Sequence, residues 1–263
     1  MSRLLAAAAC FAERIKVNSL TREVRDGRPL WIKHRRWPAG FIMACANGFF
    51  RLAGNPVRAL GDPASWQRWE LECFRQLHGE DYQAFRHGPR GVAAEEMPGE
   101  SLARHLDLGM LTPEMAAAAG RELRRAHEWQ CPVFAGGWSH GDPHTGNFLY
   151  DQAEDRARLI DFEVMHDRAL SPDERHADDL LVFLQDVLGR IAAGVWLATA
   201  QAFLEGYDRA GIAARLVPRL ILPRGIPRLW WAVRTTYLPA PELANRLELL
   251  REALIRQQSA MRR

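Results

Sequence analysis

The sequence predicts an α+β fold of two lobes, a small strand-rich N-terminal lobe followed by a helical C-terminal one. Three observations carry this expectation. Residues 30–34 form a short strand-like run entered through the turn Asp26-Gly27, and a second extended run begins at Val92. Residues 148–150 and 158–160 are short apolar runs on either side of the polar stretch 151–155, which reads as a hairpin. Apolar residues recur at helical spacing over 64–77, and helical patterns follow at 112–129 and 177–184. A chain of 263 residues is ample for one two-lobed unit, and 48% hydrophobic with 25% charged residues excludes a disordered chain. The expected lobes are residues 1–96, with an insertion at 37–61, and residues 97–263.

Taken in order, residues 4–12 after Met1-Ser2-Arg3 have the outline of a short signal peptide, but their flank is poor in small residues and an amphipathic helix is the better reading. Residues 14–24 are strand-like. Lys33, with Lys16 one of only two lysines, lies on the run 30–34. The insertion that follows contains Phe41-Ile42-Met43-Ala44 and Phe49-Phe50, an apolar stretch of about a dozen residues, too short to span a bilayer. Flanked by Arg35, Arg36, Arg51 and Arg58, it either lies on an anionic membrane surface or packs on the N-lobe as an extra helix. Asp62-Pro63 opens the helix 64–77, whose apolar face is Trp66, Trp69, Cys73, Phe74 and Leu77. Glu70 borders that stripe, and Glu72 points further away. The run from Val92 is broken at Pro98-Gly99, and a helix starts at Ser101. Thr112 is a natural N-cap, with Pro113 at the first helical position.

The chemistry is concentrated in His140-Gly141-Asp142-Pro143-His144-Thr145-Gly146-Asn147 and Leu159-Ile160-Asp161-Phe162-Glu163. Asn147 follows Asp142 by five residues and precedes Asp161 by fourteen, with the hairpin between. A hairpin of that length brings Asn147 and Asp161 side by side at its open end. Phosphoryl transfer from ATP requires a carboxylate to orient and deprotonate an alcohol, and oxygen ligands to hold magnesium on the phosphates. An Asp-x4-Asn loop supplies the base and one ligand, and the second Asp supplies the other.

On these motifs the chain resembles the protein-kinase-like superfamily, most closely the bacterial lipopolysaccharide core kinases and the aminoglycoside- and choline-type phosphotransferases, over about residues 12 to 205. The resemblance implies ATP and Mg2+ as cofactors, Asp142 as base, and Asn147 and Asp161 as metal ligands. It implies that Lys33 contacts the α/β-phosphates, that Glu70 (or Glu72) positions it, and that backbone groups of Glu95 to Met97 meet the adenine edge. Asp178 or Asp179 would brace the catalytic loop. His140 would support that loop, and His144 would touch substrate or face solvent.

Three departures bear on function. No glycine-rich phosphate loop is visible between Phe11 and Trp31, where Asn18 and Ser19 stand instead, so a non-catalytic kinase-like binding module is an alternative. Glu163 replaces the usual glycine, which argues against a switch that needs free rotation there. Only about a dozen residues separate Glu163 from the next helix, too few for the segment with which a regulated protein kinase binds peptide. The acceptor is therefore expected to be a small molecule or a lipid-linked sugar, with a serine/threonine protein kinase as the weaker alternative.

Charge points the same way. Net charge is +3, yet residues 211–263 hold ten arginines against three glutamates. Phosphosugar acceptors in an anionic membrane would be drawn to that segment and to Lys33-His34-Arg35-Arg36. Trp230-Trp231 reads as a core-facing pair on a helix, and no nucleic-acid partner is expected. Four cysteines, Cys10, Cys45, Cys73 and Cys131, lack metal spacing and read as reduced, mostly buried thiols. The expected location is the cytoplasm, peripheral at the inner membrane.

Overall fold

The computed structural model describes residues 17–134, 136–235 and 238–261. The reading of residues 4–12, and the place of Cys10, lie outside them. Strands β1 (Asn18–Arg25) and β2 (Arg28–Arg35) form a hairpin through Asp26-Gly27, whose φ values of 52° and 75° give a tight turn matched to strand twist. β2 pairs antiparallel with β5 (Gly91–Glu95), and β5 with β4 (Ala84–Arg86), so the sheet runs β1-β2-β5-β4. Along β2 the pleat buries Leu30 and Ile32 on one face and sets Trp31, Lys33 and Arg35 on the other.

The insertion forms helix α1 (Ala39–Leu52) and strand β3 (Val57–Ala59). Helix α2 (Pro63–His78) follows, capped by Asp62, which accepts from the Ser65 amide at 2.8 Å. Trp66, Trp69, Cys73, Phe74 and Leu77 are buried along one stripe, and Glu70 is buried with them.

The second lobe is helical: α3 (Leu102–Asp107), α4 (Pro113–His127), α5 (Pro172–Arg190), α6 (Trp196–Tyr207), α7 (Ala210–Leu216), α8 (Ile226–Thr235) and α9 (Ala240–Met261). A small sheet of β6 (Glu100–Ser101), β7 (Phe148–Asp151) and β8 (Arg156–Leu159) carries the expected hairpin. Ser101 and Thr112 cap α3 and α4 through their side chains. α5 begins earlier than the apolar pattern from Ala177 suggests, because Ser171 and Glu174 form a reciprocal capping box with Pro172 at the first position. Its residues Leu180, Phe183, Leu184, Val187 and Leu188 are fully buried. α4 and α6 approach backbone to backbone: a Cβ on Gly120 would lie 2.1 Å from the Phe203 carbonyl oxygen. Trp231 is buried on α8, while the Trp230 side chain is outside the described set. Cys73 and Cys131 are buried free thiols, and Cys45 is exposed. The molecule is a two-lobed α+β fold, with the cleft between sheet and helices.

The insertion departs from a simple N-lobe addition. β3 pairs antiparallel with β9 (Val164–His166), the strand just beyond Asp161-Phe162-Glu163, in the register Val57 to His166. The pairing is extended at both ends by Leu60 N–H to Glu163 O (3.1 Å) and Asp167 N–H to Pro56 O (2.8 Å). α1 packs on β3 and on α8, so the insertion is joined to the helical lobe. Asn47 on α1 donates to Ala59 O at 2.9 Å and accepts from Ala59 N–H at 2.7 Å, which fixes helix to strand. Neither β3 nor β9 was legible as a strand, since each is three residues long and stabilised by its partner. Asn47→Ala removes both bonds, and a loss of about 1–3 kcal/mol is expected. Hydrogen exchange is the check: the amides of β3 and β9 should exchange faster while those of α5 keep their protection.

Candidate active site

The loop at residues 140–147 is held from below by one buried carboxylate. Asp179 on α5 accepts from the backbone N–H of His140 at 2.8 Å and of Gly141 at 2.7 Å. Its Oδ2 also accepts from His127 Nε2 at 2.9 Å, and His127 Nδ1 meets the Tyr207 hydroxyl at 2.8 Å. Asp179 is therefore the brace, and Asp178 instead faces His166 (3.2 Å) and Arg219 (3.2 Å). One helix position separates the two, and only α5's rotation on the core decides between them. Burial opposes the Asp179 charge, but His166, His127 and the loop hold its carboxyl well below the usual range. Asp186, two turns on, fixes the far end of the loop by accepting from Thr145 N–H (3.0 Å) and Thr145 Oγ1 (2.7 Å).

Within the loop, Gly141 has φ 84°, and a Cβ there would press to 3.0 Å from Val164 Cγ2 and 3.4 Å from Val57 Cγ1. Glycine is required on both counts. Burial lowers the His140 pKa, so its ring is neutral: Nε2 donates to Ile160 O at 3.0 Å and Nδ1 accepts from Asp142 N–H at 3.3 Å. The ring packs on Trp138 and Phe162, which ties the loop to the Asp161-Phe162-Glu163 stretch. His144 caps the 3-10 turn at Thr145–Asn147, its Nδ1 accepting from Gly146 N–H at 3.0 Å. Asn147 is buried and donates Nδ2 to Asp142 O at 2.8 Å, so its Oδ1 is the atom left to face a ligand. The Asn147 carbonyl accepts from Ile160 N–H at 2.9 Å, which sets Asn147 beside Asp161 at the hairpin's open end.

Above the loop, Lys33 Nζ lies 3.3 Å from Glu70 Oε1 and 2.7 Å from Glu163 Oε1, and it also contacts Asp161 Oδ1. Trp66 Nε1 donates to Glu70 at 3.2 Å. Glu72 lies off this face, in a hollow with Ser65 and Arg68. Arg35, fully buried at its side chain, stacks 4.5 Å above the Trp66 ring, reaches Glu163 at 3.6 Å and donates to Leu60 O. Burial works against the Lys33 ammonium, yet Asp161, Glu163 and Glu70 raise its pKa above the ordinary value. Burial, with Asp161 close by, pushes the Glu163 carboxyl up to about 7. Burial also opposes the Asp161 charge, but Lys33 outweighs it and keeps that carboxyl low. Asp161 itself sits at φ 69°, a left-handed conformation that marks local strain.

Sequence reasoning weighed Glu163 only as a missing glycine and passed over Arg35, Asn18 and Asp186. The signal was present for Arg35: residues two apart on a strand share a face, so Arg35 accompanies Lys33. Asn18 bonding to Glu163 and Asp186 to Thr145 span 145 and 41 residues, beyond any local pattern.

The cleft is a cavity of about 570 Å³, of ordinary size for a nucleotide. Leu149 and Ile160 lie on its C-lobe side and Val92, Ala94 and Met97 along its back. Glu95 turns its carboxylate outward to Arg28 and the Gln83 amide, and its N–H is used by Gln83 O, so any contact it makes in the cleft runs through its carbonyl. Met97 lines the cleft at the turn into the second lobe.

No family model and no curated protein matches this chain. Among solved structures, similarity is found to WaaP in complex with acyl carrier protein, at 16% identity and TM-score 0.42 over 87% of this chain and 96% of that one. Ethanolamine kinase from Plasmodium vivax is similar at 10% identity and TM-score 0.44, over 93% and 85% of the two chains. The streptomycin–ATP–APH(2")-IIa ternary complex is similar at 12% and 0.42, over 93% and 95%. At these values none of the likenesses decides an activity, and the functional reading rests on the side chains of the cleft.

Two outcomes follow from the brace. Asp179→Ala leaves two buried loop amides without an acceptor, and a loss of about 3–5 kcal/mol in a denaturant titration is expected. Several buried histidines are held neutral, His176 down to about 2 and His78 to about 4 by burial, while the unfolded chain titrates near 6.5. A depressed folded pKa adds stability above the unfolded value and loses it as pH falls toward the folded one. Unfolding free energy should therefore drop between pH 6.5 and 4, and His78→Gln should flatten that drop.

Proposed function

We propose that this chain is an ATP-dependent phosphotransferase that moves the γ-phosphoryl of MgATP to a hydroxyl of a small-molecule or lipid-linked sugar, of the lipopolysaccharide-core type. The observation that carries the reading is the convergence of Lys33, paired with Glu70, and Asp161 on one cleft, to which the braced Asp142–Asn147 loop is joined through His140, Ile160 and Phe162. In this role Lys33 holds the α/β-phosphates, Glu70 keeps Lys33 in place, and the backbone near Glu95 and Met97 meets the adenine. Asp142 orients the acceptor hydroxyl and accepts its proton.

The donor set suits magnesium. Asn147 Oδ1 and the Asp161 carboxylate are hard oxygens at the hairpin's open end, and Mg2+ typically takes one or two protein ligands with phosphates and water completing its shell. When bound, the ion would neutralise charge building on the transferred phosphoryl group.

The acceptor side favours a small or lipid-linked substrate over a peptide. The stretch after Glu163 is short, and β9 within it is paired to β3, so no free segment is available to bind peptide. A membrane surface is supported by α1, whose Phe41, Cys45 and Leu52, with Trp37 just before it, lie exposed at helical spacing beside Arg36 and Arg51. No described helix is long and apolar enough to cross a membrane.

The test is magnesium-dependent ATP binding by thermal shift. Wild type should be stabilised and Asp161→Ala should not. Asp142→Ala should keep the shift but lose turnover by about 10²-fold or more, as removal of a positioned base does. Near-wild-type turnover in Asp142→Ala would sink the base assignment. Absence of any shift in wild type would favour a non-catalytic nucleotide-free module, in line with the lack of glycines in β1.

A further inference from the structure

Against the β3–β9 ladder lies a second cavity, of about 440 Å³, that the phosphotransferase reading does not use. Arg51 from the end of α1, Arg58 from β3 and Arg168 from the turn after β9 line it together. All three side chains are exposed, and none makes an ion pair or a hydrogen bond through its guanidinium to any described residue. Exposed arginines elsewhere, among them Arg22, Arg28, Arg121 and Arg124, each find a carboxylate. The one carboxylate on the cavity wall, Asp167, accepts from the Ala169 amide at 3.0 Å and so closes its own turn. A further hollow beyond Arg58 adds Arg68, with Asp62 committed to capping Ser65 and Glu72 beside it.

The walls are built rather than loose. Asn47 clamps β3 to α1, Asn55 accepts from the Val57 amide at 3.1 Å, and the ladder fixes Arg58 opposite Met165. The wall is also the backing of the catalytic loop. Val57 and the His166 amide, which belong to the cavity, lie 3.4 and 3.8 Å from where a Gly141 Cβ would be, one residue before Asp142.

We propose that Arg51, Arg58 and Arg168 bind a phosphate group, the anionic end of the acceptor in the transfer proposed above. The proposal rests on the phosphotransferase reading for that second clause only. Three guanidiniums brought round one cavity repel one another, and an anion that each can meet with two N–H donors removes that repulsion. A phosphate ester fits the donor count, and 440 Å³ holds a sugar phosphate rather than a bare ion. The phosphate comes either from a soluble sugar phosphate or from a lipid headgroup at the surface that α1 faces, and the chemistry of the site is the same for both.

The test uses inorganic phosphate as probe, by titration calorimetry at low salt, on wild type, Arg58→Glu/Arg168→Glu and Lys33→Met. The arginine double variant should lose phosphate affinity at least tenfold while keeping its thermal shift with MgATP, and Lys33→Met should do the reverse. Phosphate affinity unchanged in the double variant, or lost in Lys33→Met alone, would overturn the proposal, because the ion then binds elsewhere or in the nucleotide cleft. Arg58→Gln, a single exposed neutral change, repeats the test should the double variant fold poorly, with a smaller loss in the same direction. Phosphate binding that depends on Arg58 in a protein that shows no MgATP shift would leave the anion site standing and remove the phosphotransferase reading. Vesicles of phosphatidylglycerol separate the sources: sedimentation with them that is lost in the double variant and displaced by phosphate assigns a headgroup. No sedimentation, with phosphate binding intact, assigns a soluble ester.

Discussion

One buried carboxylate organises the loop that carries Asp142 and Asn147. Asp179 spends both oxygens on the amides of His140 and Gly141, and it remains charged because its hydrogen bonds and the nearby His166 and His127 outweigh its burial. A neutral residue there would leave the loop's amides buried and unpaired, a cost comparable to a large share of a domain's stability. Asp186 holds the far end of the loop through Thr145, and the neutral ring of His140 ties its start to Ile160. Each contact fixes the next, so the geometry of Asp142 and Asn147 is set by α5 and not by the loop's own preferences.

Above that loop the electrostatics are deliberately uneven. Lys33 and Arg35 face Glu70, Asp161 and Glu163, two cations among three carboxylates in a half-buried space. Such a cluster needs donors for its oxygens, and Trp66 donates to Glu70 and Asn18 to Glu163.

The insertion gives the fold its individual character. After Glu163 the chain keeps a three-residue strand and pairs it with another from the insertion. The same ladder presses Val57 and Val164 against Gly141 and carries three arginines round one cavity, so ordering of the loop and charge of that cavity come from one construction.

The sequence by itself determined the parts whose signals are local. The hairpin from Phe148, the capped helices at Asp62 and Thr112, the turn at Asp26-Gly27 and the Asp142, Asn147 and Asp161 spacing are all written within about twenty residues, where propensity and periodicity operate. Even Glu70 over Glu72 followed from helical phase. Only the tertiary structure decided the choice of Asp179 over Asp178, the recruitment of Glu163 and Arg35 to Lys33, and the docking of the insertion on the helical lobe. Those depend on pairings across tens to more than a hundred residues, made by strands too short to show a period and by charges whose partners are far away in the chain. Distance along the chain carries no record of which surfaces burial will bring together.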